Sequence, residues 1–251
     1  MIADTAGKIS ALQEGGRRLA LIIERLAKAA APGVTGRDLE TRALDLVEEY
    51  EATLSFLGYR GYPAGICVSV NDCVVHGLPD DRPFKPGDLV SIDAGIRYPK
   101  QGGYFTDGAT TLVVGGAPTA AIDNLIKTTQ AALKAAIGVT RAGVTTGDLG
   151  AAAQAIIERA GLTVITHLVG HGVGGAVHEK PQVPNFGPPG SGEILVENQV
   201  IAIEPMVTMG KDKVRLGPDG FSYLTGDGAL AAHFEHTVIV GQGGAQILTR
   251  I

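Results

Sequence analysis

Tryptophan is absent from this sequence of 251 residues, aromatic residues make up only 5% of it, and there are only two cysteines. Cys67 and Cys73 have neither the spacing of a zinc-binding pair nor the look of a disulfide framework. The cysteine content therefore fits a reducing compartment and excludes a small protein held together by disulfides.

Positive charge is also scarce, since 21 Lys and Arg residues against 26 Asp and Glu residues give a net charge of -5. No segment concentrates basic residues, so no nucleic-acid-binding surface is expected. Long apolar runs are missing too, since the apolar run 19–23 is followed at once by Glu24 and Arg25. Neither a signal peptide nor a membrane span is therefore predicted. With 45% hydrophobic residues, the chain can form one well-packed domain over residues 1–251.

The sequence contains an internal duplication, which bears directly on the fold. The motif GVTGRDL at residues 33–39 recurs as GVTTGDL at residues 143–149, an offset of 110, and each copy leads into a helical pattern. The predicted helices cover residues 9–30, 38–50, 121–137 and 148–160. The domain is therefore predicted to consist of two similar halves, at about residues 8–115 and 120–245.

A second repeated feature is a β-rich stretch that ends in a carboxylate. Residues 87–93 match residues 198–204 at an offset of 111, and shorter matches link two further acidic residues and two histidines. The matched residues are Asp93 with Glu204, Asp107 with Glu235, and His76 with His178. If a pseudo-twofold axis relates the halves, the four carboxylates face one another across one cleft.

Four carboxylates cannot share such a cleft as anions, because burial and like charges both oppose ionisation. Bound divalent cations would supply the missing positive charge, and oxygen-rich sites with one imidazole suit Mn, Fe or Co. His171 lies in the glycine-rich stretch GHGVGG, where small residues let the backbone approach a cluster closely. A lone histidine or strand-end aspartate is usually structural, but the matched duplication favours a metal site.

At these residues the chain resembles the methionine aminopeptidases of the bacterial type I class, which have the α+β pita-bread fold: two pseudo-symmetric halves with an antiparallel β-sheet covered by helices. The resemblance begins at about Ile9, and the segments that carry it are residues 58–63, 71–79, 92–93, 106–107, 170–182, 203–207 and 234–237. Only residues 179–203 separate His178 from Glu204, which leaves no room for the helical insertion of the type II class. An N-terminal zinc-binding extension is not expected either, so the type I class is the better fit.

The resemblance implies a hydrolase that removes the N-terminal methionine from nascent proteins and peptides with two divalent ions, Co, Mn or Fe. Asp93 would bind one ion, Asp107 and Glu235 would bridge both, and His171 and Glu204 would complete the other. A hydroxide bridging the metals would attack the carbonyl of the first peptide bond, with Glu204 as the proton shuttle.

Two histidines receive catalytic roles from the same resemblance. His178 would donate a hydrogen bond to the carbonyl oxygen as negative charge develops, and His76 would contact the amide nitrogen of the next residue or assist the leaving amine. The alternative is that both histidines only support the ligands from outside.

The remaining histidines receive smaller predictions. Strand alternation places His233 on the face of Glu235 and turns His236 away. His233 is therefore a candidate for supporting the ligands, whereas His236 and His167 are predicted to be structural.

The family's apolar pocket for the methionine side chain is matched by Tyr59, Tyr62, Cys67, Val177 and Phe221. Such a lining suits a flexible thioether, although Cys67 and Val177 could equally be ordinary core residues. Val177 replaces an aromatic residue and Phe221 replaces the family's Trp, so the pocket is predicted to be roomier. A narrow cleft would also require a small second residue in the substrate.

Asp93 and Asp107 are further apart than the family pattern predicts, which indicates a longer hairpin loop at residues 97–103. One rival assignment is a proline-specific aminopeptidase, which has the same fold and ligands but usually an additional N-terminal domain. Another is a non-catalytic binding protein on the same scaffold, which should have lost ligands. The family also implies a cytoplasmic monomer that acts on nascent chains, in association with ribosomes and without membrane or nucleic-acid partners.

Overall fold

The computed structural model describes residues 1–250 and contains two pairs of consecutive helices. These are α1 (Ala6–Ala29), α2 (Gly36–Glu49), α3 (Ala120–Val139) and α4 (Thr146–Arg159), with a 3-10 turn at Tyr59–Gly61. All four lie where the duplicated pattern predicts helices. Among residues 1–250, no helix is long and apolar enough to cross a membrane.

Identical capping boxes start α2 and α4. The hydroxyl of Thr35 accepts from the backbone N–H of Asp38, whose carboxylate accepts in return from the backbone N–H of Thr35. Thr145 and Asp148 repeat this exchange. The repeated motif is thus a helix-start signal, and both helices begin two residues before the predicted aspartate because the capping threonine precedes them.

The strands form one large and two small antiparallel sheets. They are β1 (Thr53–Leu54), β2 (Cys67–Val70), β3 (Cys73–Val75), β4 (Leu89–Tyr98), β5 (Tyr104–Val113), β6 (Thr163–Val164), β7 (Gly170–Gly172), β8 (Glu179–Val183), β9 (Val200–Ile203), β10 (Met206–Thr208), β11 (Val214–Leu216), β12 (Tyr223–Thr225), β13 (Ala231–His233), β14 (Glu235–Val240) and β15 (Ala245–Ile247). The large sheet has the order β1-β4-β5-β14-β9-β7-β8, with β2 on β4 and β15 on β14. The small sheets have the orders β13-β10-β6 and β11-β12-β3.

The helices cover one face of the large sheet. Helix α1 packs on β4 and β5, and α3 packs on β9 and β14. In β4, Ile92 and Ala94 belong to the buried cluster formed with α1 and α2. Asp93, which lies between them, therefore points to the opposite face. Strand alternation thus assigns the apolar residues to the helix side and the carboxylate to the side that remains available for a cleft.

Candidate active site

Five adjacent strands of the large sheet each position one predicted metal ligand. In the order of the strands, the ligands are Asp93 on β4, Asp107 on β5, Glu235 on β14, Glu204 directly after β9, and His171 on β7. Asp93 and Glu235 both pair with Ala109, so these two carboxylates lie in one row across the sheet. Asp107 lies two residues from Ala109 along β5, and the two-residue period of a strand keeps its side chain on the same face as that row.

The long spacing between Asp93 and Asp107 extends the β4–β5 hairpin without disturbing this row. The strands pair as far as Tyr98 and Tyr104, so the loop is reduced to residues 99–103. Asp107 pairs with Gly95, two residues from Asp93. The loop is therefore shorter than the predicted span of residues 97–103, because Arg97 and Tyr98 belong to β4.

The ligand atoms converge closely around His171. One ligand atom from each of Asp107, His171 and Glu235 lies within 4.8 Å of the other two. The Nε2 atom of His171 is 3.5 Å from Oε1 of Glu204 and 4.0 Å from Oδ2 of Asp107. Its Nδ1 atom lies 2.9 Å from the carbonyl oxygen of Gly172, which fixes the proton on Nδ1 and leaves Nε2 as a free electron pair for a metal.

Close backbone packing explains the glycines beside His171. A Cβ atom on Gly172 would collide with the carbonyl oxygen of Lys180 on the neighbouring strand. A side chain there would push β7 away from β8 and move the imidazole with it. The glycine-rich stretch thus serves the placement of His171.

A threonine on β14 holds Asp107 in place. The hydroxyl of Thr237 accepts from the backbone N–H of Asp107 at 2.8 Å and donates to its backbone carbonyl at 2.7 Å. The side chain of Asn185 similarly donates to the backbone carbonyl of Glu204 at 3.0 Å. Neither contact is predictable from local sequence patterns, because both join residues that are distant in the chain.

Electrostatics indicate that this cluster requires a cation. Burial and the neighbouring carboxylates raise the pKa of Asp93 and of Glu235 well above the usual range. Burial, followed by the charge of Glu204, raises the pKa of Asp107 to about 7, and burial raises the pKa of Glu204 to about 7. Among residues 1–250, Oδ1 of Asp93 and Oε1 of Glu235 are buried without a hydrogen-bond partner. Carboxylate oxygens with one imidazole are a donor set that fits divalent Mn, Fe or Co.

His76 and His178 face the same cavity as the ligands. The ring centroid of His178 lies 4.1 Å from that of His171, and the ring of His178 also stacks on that of Tyr59 with the centroids 5.2 Å apart. Burial lowers the pKa of His178 to about 3 and that of His76 to about 4. Both imidazoles are therefore neutral at pH 7, and each carries one N–H group that it can donate.

The apolar wall of the cavity matches the predicted pocket with one exception. Tyr59, Tyr62, Cys67 and Phe221 line it, and the rings of Tyr62 and Phe221 meet edge to face at 5.5 Å. Val177 is buried in the same apolar cluster but does not line the cavity. Val177 can therefore influence a bound side chain only indirectly, through the residues that line the cavity.

Comparisons with known proteins agree with this geometry. The model of metallopeptidase family M24 matches residues 10–242. Methionine aminopeptidase 1 of Bacillus subtilis is 38% identical over 251 residues and is covered completely, as is this chain. The chain belongs to metallopeptidase family M24. The crystal structure of the methionine aminopeptidase of Thermotoga maritima, 40% identical, matches with a TM-score of 0.95 over 100% of both chains, which confirms the predicted α+β pita-bread fold.

The fold is also shared with larger enzymes. The prolidase of Pyrococcus furiosus matches all of this chain and 66% of its own length with a TM-score of 0.79 at 23% identity, a likeness that concerns the fold alone. The methionine aminopeptidases, in contrast, match from end to end at a higher identity.

Two residues of this M24 site were not identified from the sequence. Phe56 and Arg60 line the cavity together with the predicted pocket residues. Arg60 lies between Tyr59 and Tyr62 in the sequence, so adjacency to two predicted pocket residues was the available signal. Nothing comparable marks Phe56, whose position depends on how the chain folds back after β1.

The remaining histidines take different positions. His236 turns away from the ligands, and its Nδ1 atom lies 2.9 Å from the hydroxyl of Thr249. His167 is exposed, 3.5 Å from Asp212. His233 is only 1% exposed, and its Nε2 atom lies 3.5 Å from Oε2 of Glu204.

Proposed function

We propose that this chain removes the N-terminal methionine from proteins and peptides by metal-dependent hydrolysis. The observation that carries the proposal is the convergence of five ligand-type residues at the base of an apolar cavity in an M24 metallopeptidase. The proposed ligands of two divalent ions are Asp93, Asp107, His171, Glu204 and Glu235. When bound, such ions would lower the pKa of a water molecule and polarise the carbonyl of the scissile bond.

The roles proposed for the chain's own residues follow from their positions. His178, neutral and in contact with His171, would donate its N–H group to the carbonyl oxygen as negative charge develops there. His76 would contact the nitrogen of the leaving amine or of the next residue. Glu204, which has one oxygen towards His171 and the other towards His233, would carry the proton from water to the leaving group.

The cavity wall supports methionine as the first residue of the substrate. Tyr59, Tyr62 and Phe221 present aromatic surface on which an unbranched thioether packs well. A location in the cytoplasm, a monomeric state and action on nascent chains at the ribosome remain predictions from the family.

The test is release of methionine from Met-Ala-Ser by metal-stripped protein, before and after addition of Mn or Co, with metal content measured on the same samples. Activity that returns with metal and is absent from Glu204→Ala supports the proposal. An Ala-Pro peptide serves as the comparison, and preferential cleavage of that peptide would favour the proline-specific alternative. Two bound ions without cleavage of either peptide would leave a metal site and refute the aminopeptidase assignment.

A further inference from the structure

His233 is a buried polar side chain that has no partner. It ends strand β13, and only 1% of its surface is exposed. Among residues 1–250, neither of its ring nitrogens has a hydrogen-bond partner. Burying an imidazole without hydrogen-bond partners destabilises the fold, because its nitrogen atoms lose their hydrogen bonds to water and form none with the protein.

The backbone of His233 is held by the opposite half of the molecule. The hydroxyl of Thr111, on β5, accepts from the backbone N–H of His233 at 3.0 Å and donates to its carbonyl at 2.6 Å. The hydroxyl of Ser91 lies 2.8 Å from that of Thr111, and donation from Ser91 uses the remaining lone pair. The imidazole therefore projects from a fixed point, and its direction is determined by the fold.

That direction leads to Glu204, which lies between two imidazoles. Its Oε1 atom is 3.5 Å from Nε2 of His171, and its Oε2 atom is 3.5 Å from Nε2 of His233. The Nδ1 atom of His171 is already paired with the carbonyl oxygen of Gly172, which can only accept, so the proton of a neutral ring belongs on Nδ1 and Nε2 presents its electron pair. Neither ring nitrogen of His233 is engaged in a hydrogen bond with any of residues 1–250, so its Nε2 atom can carry the proton.

His233 is poorly placed to be a metal ligand itself. All five proposed ligands line one cavity, and His233 is not among the residues that line it. His233 instead approaches Glu204 through Oε2, on the side away from His171. A hydrogen bond to Oε2 would fix the carboxylate with Oε1 directed at the metal site. The present 3.5 Å exceeds a normal hydrogen bond, but the terminal torsion of a glutamate is soft, so a small rotation of Glu204 would close the distance.

We infer that His233 is a positioning residue that donates a hydrogen bond from Nε2 to Oε2 of Glu204 and so orients this carboxylate towards the metals. The inference rests on the proposed two-metal function. Groups that hold a ligand from outside typically contribute 10- to 100-fold to metal affinity.

Three substitutions at this position separate the roles. His233→Gln places an amide N–H near the position of Nε2, His233→Asn places it near Nδ1, and His233→Leu removes the polar group. Co affinity is measured by calorimetry, the Co ligand field by visible absorption, and folding by thermal unfolding. His167→Gln, a substitution of an exposed histidine, is the matched control.

We expect His233→Asn and His233→Leu to bind Co about 10- to 100-fold more weakly with an altered spectrum, and His233→Gln to keep wild-type affinity and spectrum. Equal affinities in all three variants would overturn the inference, because the side chain would then only fill space. A Gln variant as weak as the Leu variant would also overturn it, since the ring would then be needed as a ligand. These readouts do not depend on peptide cleavage, so failure of the wild-type protein to release methionine would refute the proposed function separately.

Discussion

The first half of the large sheet contributes Asp93 and Asp107 from the adjacent strands β4 and β5, and the second half contributes Glu204 and Glu235 from β9 and β14. The two inner strands, β5 and β14, pair with each other. Asp107 and Glu235 therefore lie at the seam between the halves, and the other two carboxylates lie outside them. This is the arrangement that the duplicated sequence predicts.

The surroundings of the outer carboxylates differ. Glu204 has the imidazoles of His171 and His233 at 3.5 Å. Asp93 instead pairs across the sheet with Cys67, whose thiol is a weak donor. The duplication thus accounts for a symmetric carboxylate frame, while the nitrogen ligand is present on one side only. This asymmetry would make the two proposed metal positions chemically different.

The largest effect is expected from replacing a carboxylate at the seam between the two halves. Asp107→Asn should reduce methionine release by about a thousand-fold, since a residue proposed to bridge both ions contributes several kcal/mol through them. Asp93→Asn should retain one ion per chain, whereas Asp107→Asn should retain less than one, as measured by elemental analysis. Asp123→Asn, on the exposed start of α3, is the control. Equal metal contents in Asp93→Asn and Asp107→Asn would contradict the proposal that the carboxylates at the seam and the outer carboxylates bind the ions differently.

The next effect concerns the two matched histidines, one from each half. His178→Ala and His76→Ala should each lower kcat by about 100-fold, because each removes one hydrogen bond made during the reaction. Both variants should keep their metal content, since the proposed roles of these side chains are contacts with the substrate. Elemental analysis, made on the same samples as the kcat measurements, distinguishes the two roles. Loss of metal would show that the histidine supports the ligands instead.

The pH dependence of stability provides a smaller test in the metal-free protein. Asp107 and Glu204 have folded-state pKa values of about 7, above their unfolded values, so they stabilise the fold at low pH and lose this contribution as pH rises through 7. His76, His178 and His233 have lowered pKa values and act in the opposite direction, but only below their unfolded value of about 6.5.

Between pH 6.5 and 8 the carboxylates therefore act alone. Asp107 and Glu204 should lower the free energy of unfolding of the metal-free protein by on the order of 1 to 2 kcal/mol across this range. The raised pKa values of Asp93 and Glu235 add to this fall, which is seen as a lower midpoint in thermal unfolding. Saturating Mn should abolish the fall, because the ions hold the carboxylates ionised. A metal-free protein that becomes more stable over this range would contradict the assignment of the raised pKa values.

Local sequence signals explain which features could be predicted. The capping boxes at Thr35 and Thr145 need only residues three positions apart, and strand alternation alone assigns Asp93 to the cleft face. The Thr237 hydroxyl that locks Asp107 is 130 residues away from it, and the Thr111 hydroxyl is 122 residues from His233. Such contacts depend on the register between strands of different halves, which no local pattern encodes.

The depth of a side chain within the pocket is a second feature that sequence patterns do not give. Alternation and resemblance can assign Val177 and Phe221 to one apolar cluster, but they do not give the depth of each side chain within it. The structure places Phe221 in the lining of the cavity, whereas Val177 is buried in the same apolar cluster and does not line the cavity. Depth is set by how loops from both halves stack on one another.

The smallest expected effect tests this difference in depth. Phe221→Ala should lower the preference for Met-Ala-Ser over Leu-Ala-Ser by about tenfold, because removing an aromatic wall changes the fit of the first side chain. Val177→Ala should change the same ratio of kcat/KM values by less than about threefold, since Val177 does not line the cavity. A Val177→Ala effect as large as that of Phe221→Ala would mean that Val177 contacts the substrate directly.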